Sequence, residues 1–110
     1  MNAKDRESVI AQIMLRLDEG EILAQLAEEC DELAHAALKL RRAMEKKNPT
    51  PVRVEEAEAR LVLEFIDVLN AIDVLGIIRR ATVNQLHDIG DHKLERWLHR
   101  LENGCEHEEH

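Results

Sequence analysis

The sequence predicts an all-α protein, and three observations carry that reading. Leu, Ile, Ala and Val supply nearly all of a 45% hydrophobic fraction that includes one Phe, one Trp and no Tyr. Charged residues of both signs make up 35% of the chain, while Gly and Pro number only four and two. Apolar residues recur at helical spacing along most of the length. With 110 residues there is room for one modest core and not for two. Residues 1–104 therefore read as a single all-α domain, and 105–110 as a short, frayed acidic tail.

Val9, Ile10, Ile13 and Leu17 predict a first helix over residues 5–17, ending near Asp18-Glu19-Gly20. From Glu21 to about Lys46, the residues Ile22, Leu26, Leu33, Ala37 and Leu40 form one apolar stripe, interrupted by the acidic run at 28–32. Asn48-Pro49-Thr50-Pro51 stops that helix, and Thr50 as N-cap with Pro51 at the first helical position starts the next. Glu55 and Glu56 suit the N-terminal dipole of this third helix, which is expected to reach Arg79 or Arg80. A break near Gly90 then precedes a last amphipathic helix whose inner face holds Leu94, Trp97, Leu98 and Leu101.

A net charge of −8 argues against nucleic acid or an anionic membrane surface as the main partner unless a cation mediates. No apolar run reaches the ~18 uncharged residues a spanning helix needs. The N-terminus lacks a secretory pattern, and Cys30 and Cys105 make neither a CxxC pair nor a disulfide scaffold, so a reduced, cytoplasmic setting is expected.

The chemistry concentrates in two acidic pairs. Glu29 and Glu32 stand at i and i+3 on the second helix, and Glu64 and Asp67 repeat that spacing on the third. The midpoints of the two pairs are equidistant from residue 48, in the turn. An antiparallel hairpin would set Glu29 beside Asp67, and Glu32 beside Glu64 ~24 Å from the turn. Two like charges ~5 Å apart repel by about 3 kcal/mol even at an effective dielectric near 20. A cation is the natural relief, and an all-oxygen donor set suits Mg²⁺, with Mn²⁺ able to substitute, rather than zinc. Glu28 and Asp31 read instead as solvated acids, and Asp73 has drifted to another face of its helix.

Together, the motifs in EECDELAHAALKL and LEFIDVLNAID resemble the ExxE and ExxD motifs of the MazG-like all-α nucleoside triphosphate pyrophosphohydrolases. The resemblance covers roughly residues 20–100. It implies hydrolysis of a (d)NTP to the (d)NMP and pyrophosphate, with Glu29, Glu32, Glu64 and Asp67 as the Mg²⁺ ligands and catalytic carboxylates. It further implies a helical hairpin that assembles into a four-helix-bundle-like homodimer or homotetramer. Asn70 is the candidate for a sugar or phosphate contact, with a helix-interface amide as its other reading, and Lys39 is placed to reach a phosphate. Lys93 and Arg96, in KLERW, match basic positions that some members place after the metal helices.

Other readings compete for several of these residues. The basic residues Arg41, Arg42, Lys46, Lys47 and Arg53 lie near the turn and read as a solvated surface. Trp97 could stack on a base but reads as core. Glu32-Leu33-Ala34-His35 is an ExxH of the di-iron type, yet no second ExxH exists, leaving His35 as a phosphate donor or a packed helix residue. The alternative function is a non-enzymatic helical oligomerisation or interaction module. Oligomerisation is expected in either case, because the third helix is apolar nearly all round.

Overall fold

In a computed structural model that describes residues 1–46, 52–76 and 83–104, the chain forms four α-helices. These are α1 (Ala3–Arg16), α2 (Glu19–Glu45), α3 (Val54–Leu75) and α4 (Val83–Asn103). The all-α class predicted from composition is what the described residues adopt. They fall into two units, residues 1–78 with α1 to α3 and residues 79–110 with α4. None of the four helices is long and apolar enough to cross a membrane.

Local chemistry accounts for the ends. Asn2 caps α1 by accepting a hydrogen bond from the Asp5 amide at 2.8 Å. Asp18 caps α2 in a reciprocal capping box with Glu21, at 2.7 Å from the Glu21 amide to Asp18 and 2.9 Å from the Asp18 amide to Glu21. α1 ends at Arg16, beside the expected stop at Asp18-Glu19-Gly20, and α2 opens at Glu19, two residues before the expected Glu21. The Thr50-Pro51 start predicted for α3 lies outside the described residues, and the helix begins at Val54 without a side-chain cap.

The end of α3 is set by Gly76, whose φ of 76° lets its amide turn back to the Ile72 carbonyl at 3.1 Å. That stop comes before the expected Arg79 or Arg80. α4 runs unbroken through Gly90, where a break was expected. One interior glycine costs a helix only about 1 kcal/mol, which the flanking residues can carry.

Within the first unit, α2 and α3 pack as a hairpin and α1 lies against α3. Small residues make that seam close: Ala36 and Ala43 are buried on α2, and Ala57, Val68 and Ala71 on α3. Ala36 takes the place that the stripe reading gave to Ala37, which is exposed. Ile10 and Ile22 add the largest buried apolar side chains, each worth roughly 1.5–3 kcal/mol when removed from water. Ile13, Leu26, Leu33 and Leu40 are only half covered.

A guanidinium fastens α1 to α3. Arg6 donates to Asn70 Oδ1 at 2.9 Å and to Asp73 Oδ2 at 2.6 Å. Asp73, which had drifted off the face shared by Glu64 and Asp67, therefore serves the helix interface.

Candidate carboxylate site between α2 and α3

α2 and α3 pack so that residues equidistant from position 48 in the sequence become neighbours, and the acids pair in the register the spacing predicts. Glu32 and Glu64 line one open cavity of about 320 Å³, together with His35, Ala36, Lys39 and Arg60. Glu29 and Asp67 line a second, of about 200 Å³, whose other walls are Ile13, Leu17, Ile22, Gln25, Asn70, Ala71 and Val74. The first cavity is charged. The second is mostly apolar, with two carboxylates and two amides at its polar edge.

Glu64 is the one buried charged residue among those described, 7% exposed, and its Oε2 has no hydrogen-bond partner. A buried polar atom left without a partner costs about 1–3 kcal/mol. The helix reaches this state because Glu64 shares its inward face with Ala57, Val68 and Ala71, so folding the apolar side under carries the acid with it.

Glu32, more exposed, feels the consequence. The Glu64 charge pushes its carboxyl above the ordinary carboxylate range, helped by partial desolvation, by the charges of Glu29 and Glu28, and by a hydrogen bond with Glu64 that favours its protonated form.

The remaining predicted residues separate. Glu29 accepts from Gln25 Nε2 at 2.6 Å across one helical turn. Asp67 is exposed at the mouth of the smaller cavity. Lys39 shares the charged cavity with Glu32 and Glu64, on the side of α2 its spacing predicted. Asn70 lines the smaller cavity, and the hydrogen bond it accepts from Arg6 matches its helix-interface reading.

Lys93 and Arg96 lie on α4, in the second unit. Trp97, read as core, is 57% exposed. His35, read in part as a packed residue, stands at the solvent side of the charged cavity, 4.0 Å from Asp31. Arg41 pairs with Glu45 at 3.1 Å on the surface, as the reading of the basic run expected.

Two further residues line the site, Arg60 in the charged cavity and Gln25 in the apolar one. Arg60 precedes Glu64 by four residues, and Gln25 precedes Glu29 by four; the acids stand at i, i+3, and extending the same-face search to i, i+4 gathers both.

All the candidate ligands are hard oxygen donors, a set whose chemistry suits a hard divalent cation, and Glu64 adds an oxygen without a hydrogen-bond partner. As the side chains stand, no three His, Cys, Asp or Glu groups among the described residues converge tightly enough to hold an ion. Occupancy would require Glu29, held to Gln25, and Glu32 to swing toward α3. No protein-family model matches the chain, and neither a curated protein nor a solved structure matches it.

Proposed function

We propose that the chain is a Mg²⁺-dependent nucleotide pyrophosphohydrolase that converts a (d)NTP to the (d)NMP and pyrophosphate. The observation that carries this reading is Glu64: a buried carboxylate with a partnerless oxygen, facing a second carboxylate whose proton affinity it raises. A cation at Glu64 relieves both strains at once.

Glu29, Glu32, Glu64 and Asp67 would hold Mg²⁺ or Mn²⁺. When bound, the metal supplies charge neutralisation for the polyphosphate and an acidified water as nucleophile. Lys39 and Arg60, beside Glu32 and Glu64, offer the cationic side chains that a departing pyrophosphate requires. The apolar cavity beside Glu29 and Asp67 is of a size to take a nucleobase, with Gln25 and Asn70 as the polar groups at its edge. Asn70 then serves two roles, keeping α1 in place through Arg6 and presenting its amide nitrogen to the cavity.

A homodimer or homotetramer of hairpins follows from α3. Val62, Leu63, Phe65, Ile66 and Leu69 are 44–56% exposed, an apolar surface that a second hairpin would cover as in a four-helix bundle. The same surface also favours the alternative reading, an oligomeric module without catalysis.

Pyrophosphate release from a panel of ribo- and deoxyribonucleoside triphosphates, with Mg²⁺ and with chelator, separates the two. Under the hydrolase reading Asp67→Asn and Glu64→Gln each lower release by about 100-fold or more. Mg²⁺ at 100 times its Kd should also stabilise the protein by about 2.7 kcal/mol. Intact nucleotides, with a folded protein whose Tm ignores Mg²⁺, would leave the oligomeric module.

A further inference from the structure

α4 has the most sharply divided apolar and polar sides of the four helices. At ~100° per residue, Leu86, Gly90, Leu94, Trp97 and Leu101 fall on one stripe. Leu94, Trp97 and Leu101 are 61%, 57% and 68% exposed. Spacings of four, three and four residues from Gly90 through Leu94 and Trp97 to Leu101 are those of a two-stranded coiled-coil seam.

The charges of this helix are sorted rather than interleaved. On one side of the stripe lie Lys93, Arg96 and Arg100; on the other lie Asp88, Asp91, Glu95 and Glu102. No Lys or Arg of α4 has an Asp or Glu three or four residues away. The neighbours at those spacings are instead alike: Asp88 and Asp91, Asp91 and Glu95, Lys93 and Arg96, Arg96 and Arg100. Each such pair weakens an isolated helix by about 0.2–0.5 kcal/mol. α2 shows the opposite habit, with Arg41 bonded to Glu45 one turn on. The basic edge of α4 therefore has no acid one turn away in its own helix, and the acidic edge has no Lys or Arg there, its Glu95 lying 3.4 Å from the imidazole of His92.

Symmetry decides what can supply it. Two antiparallel copies of α4, stripe to stripe about a two-fold axis, set basic edge against basic edge and acidic against acidic. Two parallel copies, about a two-fold along the helices, set the basic edge of each along the acidic edge of the other. We infer that α4 is a self-association helix that pairs in parallel with α4 of a second copy of this chain, through the seam of Leu94, Trp97 and Leu101. The inference is independent of the hydrolase reading and of the hairpin interface at α3.

The test uses the full chain with Cys30→Ser and Cys105→Ser, carrying either Leu101→Cys on the seam or His99→Cys on the opposite side of the helix. In a parallel pair Leu101 faces its own copy, so under mild oxidation Leu101→Cys should give disulfide-linked dimer at least 10-fold faster than His99→Cys. Charge reversal in the Leu101→Cys background supplies a second test. Lys93→Glu with Arg100→Glu, or Asp91→Lys with Glu102→Lys, should each slow that cross-linking at least 10-fold, and mixing the two variants should restore it. Equal rates for Leu101→Cys and His99→Cys would overturn the inference and assign the stripe to another segment of the same chain or to a different protein. Cross-linking that is fast but indifferent to charge reversal would overturn the parallel, charge-sorted pairing.

Discussion

α3 and α4 are nearly equal in length, 22 and 21 residues, and both are amphipathic, yet they solve the same problem oppositely. α3 turns its small residues toward α2 and draws a carboxylate into the seam with them. α4 keeps its large residues exposed and its charges sorted to the two sides. The difference teaches that an apolar face reports the need for a partner and not its source. α3 finds one in α2, the helix that precedes it in the chain; the sorted charges of α4 fit a copy of itself. In α3, accordingly, the informative residue is the buried polar one.

Substitutions in the two helices should separate them. Glu64→Leu removes the orphaned oxygen and should stabilise the metal-free protein by about 1–3 kcal/mol in urea, while abolishing any Mg²⁺-dependent shift. A loss of stability would mean the buried carboxylate has a partner in solution. Ala57→Leu, at the 3% exposed position of the α2 seam, should cost about 1–3 kcal/mol through overpacking. Leu94→Ala in α4 should change the stability of the monomer by no more than about 0.5 kcal/mol, and a larger loss at low protein concentration would show that α4 is covered within its own chain.

Gly76→Ala forces a β-carbon into the left-handed conformation that ends α3 and should cost about 1 kcal/mol, though space is open around it. Arg6→Ala, which frees a half-exposed ion pair, should cost less than about 1 kcal/mol.

The pH dependence is the subtlest difference. Glu32 binds its proton more tightly in the folded chain than in the unfolded one. Its protonated form therefore supports the fold below the ordinary carboxylate pKa, and that support is lost as pH rises through the raised value. Glu32→Gln should match wild-type stability in acid and exceed it increasingly toward neutral pH. A gap between the two urea midpoints that stays constant with pH would show that Glu64 does not govern Glu32.

Much of this was legible from spacing alone. The period of the apolar residues marks α1, α2 and α3, and the midpoint of the two acidic pairs at residue 48 gives the register that puts Glu32 with Glu64 and Glu29 with Asp67. Boundaries failed where one residue type carries two meanings. Asp18 followed by Glu21 is a helix start as well as an acidic interruption, and Gly76 is a stop while Gly90 is not. Propensity cannot tell these glycines apart; the positive φ of Gly76 does.

The bond from Arg6 to Asp73 was beyond reach, because nothing local ties residues 67 positions apart. The exposure of Trp97 was missed for a related reason. Periodicity finds the apolar side of a helix and is silent on whether the same chain covers it.

Arg6 has one more implication, for motion. Leu17 and Asp18 alone separate α1 from α2, so the C-terminal end of α1 is tethered by chain connectivity. Its other end is secured by one guanidinium and by Ile10. Amide protons early in α1 should thus exchange with solvent through a local opening that leaves α2 and α3 intact, well before those of Val68 or Ala71. Such an opening swings about the Leu17–Asp18 joint. It uncovers Asn70 and Val74 first, because they share with Met1, Arg6 and Val9 the recess at the free end of the helix.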